Sequence, residues 1–150
     1  MAVTWYSAVS YALVVTIGSW TTGAVVGLVW SASAASLGTW VSLWVANFPS
    51  YMLLTVITLT LALTRRYTAP LPTWRVPLVD GGAYLLVLLL VSGLWAWKEG
   101  AAVPVDDAFV TASFALLTLQ LPAAWLLSVW RARHLRVVLR RIDDGTRSAS

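Results

Sequence analysis

Along the chain, long uncharged apolar blocks alternate with short polar or charged breaks, and the period-two alternation of half-buried strands is missing. Four blocks approach the length, about 20 residues, that a helix needs to cross the hydrocarbon core of a bilayer. They cover about 6–30, 39–64, 81–97 and 108–130. The first carries no charge. The second stops at Arg65-Arg66, the third is short with Asp80 placed to cap it, and the fourth stops at Arg131. The expected fold is an all-α integral membrane protein of four transmembrane helices, paired as two helical hairpins. The bundle would occupy 1–133, and the basic tail 131–150 would add a short cytoplasmic amphipathic helix.

Composition points the same way. Hydrophobic residues make up 59% of the 150, charged residues 11%, and mean hydropathy is +0.79. A soluble domain of this size has too little interior to hide so much apolar surface. The net charge of +4 could suggest nucleic acid in a soluble protein. Here the cations flank apolar blocks, so they read as topology signals and lipid contacts, and nucleic acid is not an expected partner.

The charges also orient the chain. Arg65, Arg66 and Arg75 lie between blocks two and three, and Arg131, Arg133, Arg136, Arg140, Arg141 and Arg147 lie in the tail. The opposite side carries only Lys98, beside Glu99, Asp106 and Asp107. By the positive-inside rule both termini are cytoplasmic, in a plasma or inner membrane. Aromatic residues fit this arrangement. Trp5, Tyr6, Tyr67, Trp74, Tyr84 and Trp130 fall at inner ends, and Trp30, Trp40, Trp95 and Trp97 at outer ends. Trp20, Trp44 and Trp125 lie deeper, where a pigment or quinone could stack. Ala32-Ser33-Ala34 has the small residues of a signal-peptide cleavage site, but the apolar run before it is too long and no cation precedes it. The segment 65–80 holds Pro70, Pro72 and Pro77 and is expected to connect the two hairpins without a helix of useful length.

Three constellations stand out. Ser19, Gly23, Gly27 and Ser31, four residues apart, form a groove of small side chains suited to close helix packing. Asn47-Phe48-Pro49 and Gln120-Leu121-Pro122 repeat an amide-x-Pro pattern. Each proline frees a carbonyl four residues earlier, that of Val45 or Thr118. The plain reading is two kinks whose amides bond neighbouring helices; the sharper one is a transporter's polar notch. In the tail, Leu135, Val138, Leu139 and Ile142 oppose Arg133, Arg136, Arg140 and Arg141, as in a basic helix lying on anionic inner-leaflet lipid or on a partner.

Other chemistry is excluded by what is missing. Zero cysteines and one histidine, His134, leave no thiolate, haem or zinc site, so no metal and no cofactor is expected. Asp106-Asp107 and Asp143-Asp144 fall on opposite sides of the membrane. No ionisable residue lies within an expected span, which argues against proton coupling. The functional expectation is a non-catalytic accessory or scaffold subunit of a larger membrane complex, whose partners are lipid and other subunits or copies of itself. The alternatives are a self-assembling channel lined by Asn47, Gln120, Thr55 and Thr58, and a subunit that binds a pigment or quinone.

Overall fold

The computed structural model is all-helical. It describes residues 4–31, 38, 48–68, 72, 74–100 and 102–148, with 31, 48, 49 and 135–148 by backbone only. Five helices are described: α1 Trp5–Ser31, α2 Phe48–Thr68, α3 Val76–Lys98, α4 Pro104–Leu117 and α5 Gln120–Ser148. At 1.5 Å per residue, α1 is about 40 Å long and α3 about 35 Å, whereas α4 reaches only about 21 Å. Two of the described helices, α1 and α3, are long and apolar enough to cross a membrane. A third crossing is available if α4 and the start of α5 count as one bent span.

Helix α1 packs against α2 and α5, while α3 packs against α2, α4 and α5. The inward face of α1 recurs every three or four residues: Ala8, Tyr11, Ala12, Val15, Thr16 and Ser19 are buried. Val9, Leu13, Ile17, Val25 and Val29 point outward. An apolar outer face and a mixed small and polar inner face are what a bilayer solvent selects, because hydrocarbon rewards exposed Leu and Val and punishes exposed polar groups. The core where the helices meet contains Tyr11, Val15, Ile57, Leu61, Val76, Tyr84, Leu88 and Leu121.

Three expectations require correction. First, the connector between the hairpins is shorter than 65–80, because α2 continues to Thr68 and α3 already begins at Val76. Pro77 does not prevent this: in the first turn its missing N–H would have had no helical partner. Asp80 is therefore not a cap. It sits four residues into α3, and Arg75, the residue at the cap position, makes no side-chain capping bond. Second, the fourth apolar block is not one helix. It breaks between Leu117 and Gln120, and the two axes differ by 62°. Pro122 has no N–H for the Thr118 carbonyl, so the ladder fails there. Leu119 takes φ 61°, a left-handed conformation that side chains disfavour. Third, the tail is not a separate helix, since α5 runs unbroken from Gln120 to Ser148.

Other ends follow local chemistry. Helix α3 ends at Lys98, and two residues on Gly100 takes a φ of 81° that suits glycine and donates its N–H to the Trp97 carbonyl. Helix α4 opens on Pro104 with Asp106 and Asp107 in its first turn, at the positive end of the helix dipole.

Candidate functional site

The interior holds a polar network in two tiers, contributed by four helices. The first tier centres on Asp80. Its carboxylate receives a two-pronged guanidinium, with Arg65 Nη2 2.6 Å from Oδ1 and Arg65 Nε donating to Oδ2 at 3.0 Å. Tyr11 Oη also donates to Asp80 Oδ2 and lies 3.2 Å from the Ser128 carbonyl oxygen. The Arg65 guanidinium carbon stands 5.0 Å from the centre of the Tyr11 ring, so the cation is held by a carboxylate and by an aromatic face. Asp80 is 1% exposed and Arg65 5%. A lone charge so deeply buried would be prohibitive. The pair persists because each charge meets its opposite and Oδ2 takes two donors, while Oδ1 has the guanidinium charge beside it but no hydrogen bond among the described residues.

The second tier lies one turn further along α3. Tyr84, at i+4 from Asp80, shares its face and is fully buried. Gln120 Nε2 donates to Tyr84 Oη at 2.8 Å. Ser19 Oγ lies 3.2 Å from the same phenol oxygen and 3.0 Å from the Thr16 carbonyl. The helix break sets up this contact, because Gln120 is the first residue of α5. A further tie joins α1 to α5, where Arg131 Nη2 donates to Ser10 Oγ at 2.9 Å.

Close backbone approach brings the tiers together. A Cβ built at Gly81 would lie 1.9 Å from Trp125 Nε1, so the indole of α5 rests directly on the backbone of α3 beside Asp80. At Gly18 a Cβ would come within 2.6 Å of Leu127 Cδ1, the flexible end of a side chain.

The residues singled out in the sequence divide accordingly. Ser19 and Gln120 meet at Tyr84. Gly23 and Gly27 are buried on the face of α1 that continues from Ser19, while Ser31 is described by backbone only. Pro122 is half-buried in the first turn of α5. Asn47 and the Pro49 side chain fall outside the described residues, as do the side chains of Arg136, Arg140 and Arg141. Arg133 is exposed, and His134 stacks on Trp130 with ring centroids 6.3 Å apart.

Tyr11, Arg65, Asp80 and Ser128 were not among the site residues expected from the sequence, and two expectations, on ionisable residues and on Tyr84, are corrected. The expected spans 39–64 and 81–97 hold no ionisable residue, but the apolar helix α3 begins at Val76 and so takes in Asp80, which pairs with Arg65 at the end of α2. Tyr84 was expected at the headgroup level and is instead a core side chain. One signal was available. Asp80 is the only acidic residue before Glu99, and Tyr84 follows it at i+4 in an apolar helix.

The aromatic ends carry cations. Arg66 lies 5.4 Å above the Trp5 ring, Arg75 4.7 Å above Trp74, and the Lys98 ammonium 4.4 Å above Trp95. Among the described residues, no three His, Cys, Asp or Glu side chains gather closely enough to hold a metal ion. Chemically, then, the network offers a neutralised charge pair and a chain of hydroxyl and amide groups that cross-links helices. Comparison of the chain with family models, with curated proteins and with solved structures finds no match.

Proposed function

We propose that this chain is a four-span membrane protein with both termini in the cytoplasm, and that it acts as an accessory or scaffold subunit of a larger membrane complex. The observation that carries this reading is that interior polar side chains of different helices pair with one another, although Thr16 Oγ1, Asp80 Oδ1 and Arg131 Nε have no hydrogen bond among the described residues. Asp80 is occupied by Arg65 and Tyr11, and Gln120 by Tyr84. Thr55, Thr58, Thr60 and Thr64 each donate to the carbonyl four residues back in α2. The threonine bonds stay within α2, whereas the Asp80 and Tyr84 contacts join different helices, and in hydrocarbon such cross-helix bonds rigidify a bundle. The outer surface is left to Val25, Val29, Leu86, Leu90, Val110, Phe114 and Leu126, an apolar coat for lipid or neighbouring subunits.

The four-span count joins the uncharged run 39–47 to α2 and takes α4 with the start of α5 as a single bent crossing. The orientation follows from nine arginines on one side against Lys98 on the other. The anionic lipid of the inner leaflet would face the tail arginines.

Extraction from native membranes in mild detergent, followed by mass spectrometry and absorption spectroscopy, tests the assignment. Stoichiometric foreign subunits are the expected result. A pure homo-oligomer would favour a channel built around Asn47, Gln120, Thr55 and Thr58. A visible absorption band would favour a pigment held near Trp20, Trp44 or Trp125.

A further inference from the structure

A groove of about 680 Å³ runs between α2 and α3, away from the buried network. Met52 and Val56 form one wall, and Val87, Leu90, Val91, Leu94 and Trp95 form the other, with Lys98 at the end. The α3 positions advance by three or four residues at a time, so the wall is one continuous stripe about 16 Å long. Volume and lining match those of ligand sites that are mostly apolar with a single oriented polar group. That polar group is a cation. Lys98 does not extend away from the groove: its ammonium sits 4.4 Å over the Trp95 ring, which itself lines the groove. Glu99, the nearest acid in the sequence, is exposed beyond the helix end and takes no part in the lining.

An apolar trough that ends in a cation over an indole complements a molecule with a hydrocarbon chain and an anionic head. We propose that the groove binds an anionic phospholipid of the leaflet at the Lys98 end of α3, with one acyl chain along Leu90, Val91 and Leu94 and the phosphate on Lys98. The chain buries the exposed leucines, and the phosphate supplies Lys98 with a counter-charge. This site lies at the opposite end of α3 from Arg65 and Asp80, and it is independent of the scaffold assignment.

Photo-crosslinking in nanodiscs tests it. Phosphatidylglycerol and phosphatidylcholine probes, each with a diazirine in the acyl chain, are incorporated with the full chain, and adducts are mapped by peptide mass spectrometry. Adducts at Met52, Leu90 and Leu94 are expected, with about fivefold higher yield from phosphatidylglycerol, the factor that one lysine near an anionic headgroup provides. Lys98→Gln should equalise the two probes, and Lys98→Arg should keep the excess. Val91→Trp should reduce both yields by filling the trough. Equal groove labelling by both probes in the unaltered chain overturns the proposal, as does an excess that survives Lys98→Gln. Absence of groove adducts, with a second copy or another protein crosslinked there instead, overturns it equally.

Discussion

At the residue scale, the buried pair is the most consequential feature. Removing one partner leaves an uncompensated charge among apolar side chains, whereas removing both leaves none. Asp80→Asn or Arg65→Met alone should each cost about 3–5 kcal/mol. The double replacement should recover much of that loss, because the surviving charge is gone too. Unfolding in bicelles by steric trapping measures the cycle, and additive losses would mean that the two side chains do not depend on each other. Two adjacent glycines supply a sharper contrast. Gly81→Ala pushes a methyl group into the Trp125 indole, which is a large ring between helices and not a free chain end. A loss of about 1–3 kcal/mol is expected. At Gly82 nothing lies within 4 Å of a new Cβ. Gly82→Ala should therefore be neutral or slightly stabilising, since alanine is the better helix former.

At the element scale, the break at Thr118-Leu119 decides whether Gln120 can reach Tyr84. Its cause was legible: a proline two residues beyond an amide frees the carbonyl of Thr118. Its size was not. A kinked helix and a 62° break share the same missing hydrogen bond, and the difference lies in Leu119 adopting a positive φ. Leu119→Gly should relieve about 1 kcal/mol of left-handed strain and raise stability. Were the segment one continuous helix in the bilayer, the same change would lower stability by about 1 kcal/mol through glycine's poor helix propensity. The sign of the change in the bicelle unfolding assay separates the two. The start of α3 teaches a related lesson. An acid just before an apolar run resembles a cap, but a carboxylate one turn into a helix has the same local sequence. Only the Arg65 guanidinium across the interface distinguishes them.

At the scale of the whole molecule, the proposed four-span arrangement with inward termini makes a direct prediction. The chain has no cysteine, so single-cysteine variants can be labelled cleanly. Cysteines at Ala69 and Ser148 should be shielded from an impermeant maleimide in intact cells, and those at Ser33 and Ala101 should react. Reaction at Ala69 from outside would remove the four-span topology. The buried network adds a rationale for the position of the pair. Tyr11 and Asp80 lie in the second turns of α1 and α3, and Arg65 lies in the last turn of α2, so they meet near the end that the positive-inside rule assigns to the cytoplasm.

The sequence by itself determined the all-helical class, the apolar elements α1 and α3, and the cluster of cations at one end. These follow from hydropathy and charge summed over about 20 residues, where local chemistry dominates and tertiary contacts change little. It also marked Gln120 and Pro122 as a polar irregularity, since a proline's missing donor is a covalent fact. Only the tertiary structure decided what Arg65, Asp80 and Tyr11 are for. Arg65 looks like a stop signal, Asp80 like a cap and Tyr11 like one more apolar-span aromatic until three helices bring them together. Their role depends on pairing across 15 and 69 positions of chain, which no local pattern encodes. In hydrocarbon an ionisable group is bearable only beside its partner, so the partner's position fixes its meaning.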